Sequence, residues 1–115
     1  MSYRHSYGRP AAVAQNAMVA TSQPRATLAG LRILESGGSA ADAAIAASAV
    51  LCVTEPMSTS IAGDCFAIVA DGNEIAGLDA AGPAPKSASP DTPIEEAGPT
   101  SVTVPGAVRG WAALS

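Results

Sequence analysis

The stretch from residue 40 to residue 53, Ala-Ala-Asp-Ala-Ala-Ile-Ala-Ala-Ser-Ala-Val-Leu-Cys-Val, constrains the fold more than any other part of the chain. Nearly every position is small or apolar, so a helix built from it has no face suited to water. Such a helix is expected to be buried all round. Its alanines let neighbouring backbones approach closely, as a layer pressed against a sheet requires. The run carries Asp42 near its start and falls short of the roughly 18–20 apolar residues that span a bilayer, so a membrane role is not expected.

Signals on either side of this run divide the chain into elements. Ser39 reads as its N-cap, with Asp42 three residues on and favourable to the helix dipole. Glu55-Pro56 ends it, because proline disfavours the helical conformation at the residue before it. Upstream, Thr21-Ser-Gln-Pro24 is a helix-entry signal with Pro24 placed for the first turn. Leu28, Leu31 and Leu34 recur at helical spacing and predict the apolar face, with Arg25, Arg32 and Glu35 on the wet side. Gly37-Gly38 stops this helix. Met18-Val-Ala-Thr21 is a short apolar run read as a strand. Downstream, residues 65–70 read as a strand, 71–73 as a turn and 74–79 as the hairpin partner. Pro83, Pro85, Pro90, Pro93 and Pro99 make residues 80–100 a loop. Val102-Thr-Val-Pro105 is a short extended piece, and residues 106–115 start a helix that carries Trp111 and Leu114 without a stop signal. The chain thus reads as a flexible N-terminal arm, residues 1–16, followed by an Ala-rich α/β unit, residues 17–115, cut within a helix.

Composition excludes several functions. Six Lys and Arg against ten Asp and Glu give a net charge of -4, and the aromatics are only Tyr3, Tyr7, Phe66 and Trp111. Without basic clusters or stacking aromatics, nucleic-acid binding is not expected. One histidine, His5, and two cysteines, Cys52 and Cys65, are too few for a tetrahedral Cys/His zinc site. The N-terminus shows no apolar stretch of secretory type, and the cysteines make no disulfide framework. A cytoplasmic location with reduced, packed thiols is the expectation.

Candidate chemistry within the chain is sparse. Gly37-Gly38 follows a helix rather than a strand, so a helix–helix turn is favoured over a phosphate cradle. No G-x-S-x-G elbow occurs. Asp64, Asp71, Glu74 and Asp79 flank the hairpin, where acids are usually solvated rather than paired for acid–base work. Ser2 would be an N-terminal nucleophile after removal of Met1, but it opens a polar arm rather than a buried strand. Cys52 and Cys65 lack a His or Lys neighbour that would activate a thiol.

Six segments carry a resemblance. They are Met18-Val-Ala-Thr-Ser-Gln-Pro24, Ala29-Gly-Leu-Arg-Ile-Leu34, Gly37-Gly-Ser-Ala-Ala-Asp-Ala-Ala-Ile-Ala-Ala47, Glu55-Pro56, Ile61-Ala-Gly-Asp-Cys-Phe-Ala67 and Val102-Thr-Val-Pro-Gly-Ala-Val-Arg-Gly-Trp111. In order and spacing they resemble the beginning of the large subunit of the γ-glutamyltransferase (glutathione hydrolase) family, over about residues 17–115. The wording Gly63-Asp-Cys-Phe-Ala67 is closer to the γ-glutamyltransferase-like branch, which includes acylases and amidohydrolases. The resemblance implies a partial αββα sandwich of the N-terminal-nucleophile hydrolase type, with Ala-rich helices covering a mainly antiparallel sheet. It also implies a self-cleaving precursor whose freed N-terminal Thr, outside this chain, attacks a γ-glutamyl or related acyl amide. No cofactor is implied. The implied partners are the small-molecule amide, the remainder of the large subunit and the small subunit.

One family feature does not carry over. Glutathione-processing members have a Leu-Asp-Phe-Arg-Glu-x-Ala-Pro stretch whose Arg clamps the substrate α-carboxylate. Here the stretch reads Leu78-Asp-Ala-Ala-Gly-Pro-Ala-Pro85, with Ala81 at that position. The related branch often reads Gly-Arg-Ala-Pro, and Pro83 stands at its Arg. Residues Ala81, Gly82 and Pro83 are therefore the expected pocket wall without its guanidinium, and Lys86 is the candidate substitute. The chain by itself is expected to be inactive and poorly stable. The alternative is a non-catalytic truncated remnant or partner-dependent folding unit of the same family.

Overall fold

The computed structural model describes residues 10–91 and 93–115. Ser2 and His5 lie outside the described residues, as does most of the 1–16 arm; residues 10–16 are exposed irregular chain. Helix α1 (Pro24–Glu35) begins with Pro24 in its first turn, preceded by an extended Gln23. Gln23 makes no side-chain cap, and Thr21 organises the entry instead. Its hydroxyl donates to the Gln23 carbonyl at 2.7 Å and lies 2.8 Å from the Thr27 hydroxyl. The helix ends on Gly37, which takes φ +87. Gly38 N–H donates to the Ile33 carbonyl and Gly37 N–H to the Leu34 carbonyl, the two bonds of a Schellman motif.

Helix α2 (Ala40–Thr54) starts two residues later with a complete capping box. Asp42 N–H donates to Ser39 Oγ at 3.0 Å, and Ser39 N–H donates to Asp42 Oδ2 at 2.9 Å. The Ser39 N–H first, and second the Ser39 hydroxyl, which donates to the same Oδ2 at 2.8 Å, hold the Asp42 carboxyl below its ordinary value. The far end of α2 is tied back to the start of α1. Ser22 Oγ and Gln23 Nε2 donate to the two carboxylate oxygens of Glu55 at 2.8 and 2.9 Å. Gln23 first, then Ser22, thereby keeps the Glu55 carboxyl below its ordinary value. The pair forms an antiparallel helical hairpin closed at its open end.

Its seam differs from the leucine stripe expected of α1. The buried positions are Ala26 and Gly30 on α1 and Ala43 and Ala47 on α2. Leu28 is 48% exposed. A Cβ added at Gly30 would lie 2.9 Å from Val19 Cγ1 and 3.1 Å from the Ala43 carbonyl. Close backbone approach thus decides the buried face, and bulkier leucines are left at its margins. The same contact explains why Met18 to Thr21 forms no strand. Val19 is occupied as a wedge against α1, and no strand edge lies beside it among the described residues. The expectation that α2 is buried all round also needs correction. Only Ala43 and Ala47 are buried, and Val53 is 80% exposed. One side of α2 meets α1, while the described residues supply no complete layer for its other faces.

Strands β1 (Cys65–Asp71) and β2 (Glu74–Ala80) form an antiparallel hairpin, with Asp71 opposite Glu74. Gly72 turns the chain at φ +57, and among the described residues no non-glycine has positive φ; glycine at the first of two loop positions is the pattern of a type II′ turn. Pairing Cys65 with Ala80 and Ala67 with Leu78 puts those four side chains on one face, where all are half-buried. Helix α3 (Ala107–Leu114) covers that face, touching both strands and the α2 helix. Gly110 makes this possible, since a Cβ there would lie 2.7 Å from Cys65 Cβ and 2.9 Å from Ala80 Cβ. The opposite face carries Phe66, Ile68 and Ile75, exposed by 69%, 81% and 76%. The fold is α/β, joined through alanine and glycine.

Candidate functional site

The chain leaves β2 into residues 81–83, where three stretches distant in sequence converge. Ala81 N–H donates to Asp79 Oδ1 at 2.9 Å, a local turn of the kind aspartate favours. Gly82 N–H donates to Asp64 Oδ1 at 3.1 Å. The same oxygen accepts the Thr103 hydroxyl at 3.0 Å. Pro83 contributes its carbonyl, which accepts from Val104 N–H at 2.9 Å. The Gly63 carbonyl accepts from Gly106 N–H at 2.9 Å and Ala107 N–H at 2.8 Å, fixing the start of α3 to the same junction.

Gly82 is half-buried in this junction, whereas Ala81 and Pro83 are exposed. A Cβ on Gly82 would fall 1.3 Å from the Val104 carbonyl oxygen. Backbone meets backbone there, so the position accepts no side chain without displacement of one segment. The side chains of Ala81 and Pro83 are apolar, and the charged side chains hydrogen-bonded to this segment are the carboxylates of Asp64 and Asp79. Lys86 lies in an exposed turn closed by Ala88 N–H donating to the Pro85 carbonyl at 2.8 Å. Beyond Pro83 a recess of about 550 Å³ opens between the two legs of the loop, lined among others by Ala84, Pro85, Ile94, Val102 and Thr103.

Hydrogen bonds with Asp64, Asp79 and Val104 thus fix the backbone of Ala81, Gly82 and Pro83 in the junction, and Lys86 follows three residues later in an exposed turn. Sequence reasoning missed Asp64 and Thr103 as its organisers. Asp64 reads as a solvated hairpin-end acid, and its partners stand 18 and 39 residues away, where no spacing rule reaches. Cys52 and Cys65 are free thiols, both half-buried. Cys65 packs against Gly110. Among the described residues no group of three or more His, Cys, Asp or Glu side chains is placed to hold a metal ion. No described helix is long and apolar enough to cross a membrane.

These features define an α/β sheet-and-helix unit with an irregular segment pinned at the sheet exit. The profile for gamma-glutamyltranspeptidase matches residues 26–115, and the chain belongs to that family. The glutathione hydrolase proenzyme of Bacillus subtilis (strain 168) is 38% identical over 111 residues, covering 85% of this chain and 19% of the relative. The acylase ACY 1 proenzyme of Pseudomonas sp. (strain V22) is 36% identical over a 118-residue alignment, covering 87% of this chain and 21% of the relative. The chain thus spans about a fifth of the length of these curated relatives. Among solved structures, the gamma-glutamyltranspeptidase of Pseudomonas nitroreducens complexed with L-DON superposes with a TM-score of 0.80 at 28% identity, over 89% of this chain and 33% of that one. The Helicobacter pylori gamma-glutamyltranspeptidase gives a TM-score of 0.79 at 30% identity, over 91% and 33%. The fold is accordingly that of the N-terminal-nucleophile hydrolases to which these neighbours belong.

Proposed function

We infer that this chain is the N-terminal part of the large subunit of an amidohydrolase or acyltransferase of this family. The whole enzyme cleaves γ-glutamyl or related acyl amides through an N-terminal Thr that lies outside these residues. Within it the chain supplies framework, and residues 81–83 supply one wall of the substrate pocket. The exposed Phe66, Ile68 and Ile75 face is where the remainder of the large subunit seats, and the small subunit brings the nucleophile. Glutathione hydrolases and an acylase are both among the relatives, which supports amide cleavage while leaving two classes of acyl group.

One observation favours an acyl group without an α-carboxylate. Ala81 and Pro83 stand where a guanidinium would, the charged side chains hydrogen-bonded to this segment are the carboxylates of Asp64 and Asp79, and Lys86 lies in an exposed turn. A charge-assisted bond of the missing kind is worth ~1.5–3 kcal/mol. Its loss weakens γ-glutamyl binding by roughly one to two orders of magnitude. Lys86, a point charge on a flexible stem, is a poorer match to a carboxylate than a guanidinium fork.

The test uses the full-length gene product. Mass spectrometry is expected to show two fragments with Thr at the new terminus. Turnover is expected to be faster on a neutral acyl amide than on γ-glutamyl-p-nitroanilide. An uncut product that hydrolyses neither amide would refute the enzyme reading and favour a non-catalytic remnant of the family.

A further inference from the structure

Asp64 does something unusual for an exposed carboxylate at a hairpin end. Its Oδ1 alone accepts two bonds, from Gly82 N–H at 3.1 Å and from the Thr103 hydroxyl at 3.0 Å. The donors belong to segments 81–83 and 102–104, which are also joined by Val104 N–H donating to the Pro83 carbonyl at 2.9 Å. Gly82 leaves no slack between the segments, since the Val104 carbonyl already occupies the place of a Cβ. The neighbouring Gly63 carbonyl holds Gly106 and Ala107 independently of the Asp64 side chain. Removing Asp64 Oδ1 takes away two bonds and leaves the Val104–Pro83 bond as the tie between the segments, which loosens residues 81–83 without detaching α3.

We propose that Asp64 is a positioning residue for the acyl-amide site: its Oδ1 sets the place of residues 81–83 and with it the shape of that pocket wall. This rests on the inference that residues 81–83 line the substrate pocket. What matters is an acceptor rather than a charge, because one oxygen takes both donors and an amide carbonyl offers the same geometry. A displaced wall weakens ground state and transition state alike, so the effect falls on KM and leaves kcat.

The experiment compares Asp64→Ala, Asp64→Asn and Thr103→Val in the full-length protein, measuring KM and kcat on the acyl amide it cleaves. Asp64→Ala is expected to raise KM about tenfold with kcat held within about twofold. Asp64→Asn keeps KM within about twofold of the parent, and Thr103→Val, losing one of the two bonds, raises it about threefold. Amide exchange is the second readout. In Asp64→Ala the Gly82 N–H exchanges at least about tenfold faster, while the Gly106 and Ala107 amides keep their rates. An Asp64→Asn protein as impaired as Asp64→Ala, or an unchanged KM in Asp64→Ala, overturns the proposal. If Asp64→Ala does not accumulate as folded protein, Thr103→Val decides by the same two measurements. If the parent cleaves no amide, the inferred function fails by itself, and an unchanged Gly82 exchange rate then overturns the positioning role separately.

Discussion

At Gly82 and Glu55 single side chains, or their absence, hold long-range geometry. A methyl group at Gly82 would collide with the Val104 carbonyl rather than with a movable side chain. Gly82→Ala is therefore expected to destabilise the full-length protein by about 1–3 kcal/mol, the usual cost of forcing atoms into filled space. A thermal melt checks this, with Ala81→Ser at the adjacent exposed position expected to be nearly neutral. Ala81 has room for a larger group. If the wall is short of a guanidinium, Ala81→Arg lowers the KM for γ-glutamyl-p-nitroanilide by about tenfold, and no change in KM would place the carboxylate elsewhere. Glu55 adds a pH dependence. Its folded-state pKa lies below the ordinary 4.5 because Gln23 and Ser22 donate to the charged form. Its stabilising contribution is thus complete above about 4.5 and is lost as pH falls through the depressed folded value. Asp42, lowered from 3.8 by Ser39, acts in the same direction at lower pH. Replacing Glu55 by Gln should flatten the acid limb of a melting-temperature profile between pH 5 and 3, a range of about the two ordinary values. An unaltered limb would show the clasp to be dispensable.

The elements are set by caps and by small residues at their contacts. The capping box at Ser39 and the glycine stop at Gly37 lie two residues apart and fix the turn between α1 and α2. Ser39→Ala is expected to cost ~1 kcal/mol, and Gly37→Ala, forced to φ +87, a similar ~1 kcal/mol. Both are read from denaturant midpoints of the full-length protein. These boundaries were legible in the sequence because proline, glycine and Ser-x-x-Asp act within a few residues. The buried faces were less so. Leu28, Leu31 and Leu34 have helical spacing, yet the helices meet through Ala26, Gly30, Ala43 and Ala47. Periodicity marks which residues avoid water, but close approach of two backbones selects the smallest of them. Met18 to Thr21 departs from the expected strand for a related reason. A short apolar run is compatible with a strand or with a wedge, and only the presence of Gly30 opposite Val19 decides.

On the scale of the molecule, the buried apolar side chains among the described residues are alanines alone: Ala26, Ala43, Ala47 and Ala107. A buried methylene-sized group contributes only ~0.8 kcal/mol, so this core is thin. The radius of gyration is 17.7 Å, against about 13 Å for a compact domain of roughly this length. One face of the sheet presents Phe66, Ile68 and Ile75 to solvent, a patch of the kind that marks an interaction surface. The 115 residues expressed alone are therefore expected to bind a hydrophobic dye strongly and to show no turnover of γ-glutamyl-p-nitroanilide. The full-length protein should bind the dye weakly. Equal dye binding by both would mean that the sheet face stays open in the whole enzyme.

The order of the helices, the hairpin and its turn, the proline-rich loop and the family were all present in the amino-acid sequence. Each depends on residues adjacent in the chain or on colinear motifs. Only the folded molecule joined Asp64 to Gly82 and Thr103 and chose the alanine seam over the leucine stripe. Those outcomes depend on where distant backbones come to rest, and the forces that bring them there are short-ranged and carry no mark of sequence separation.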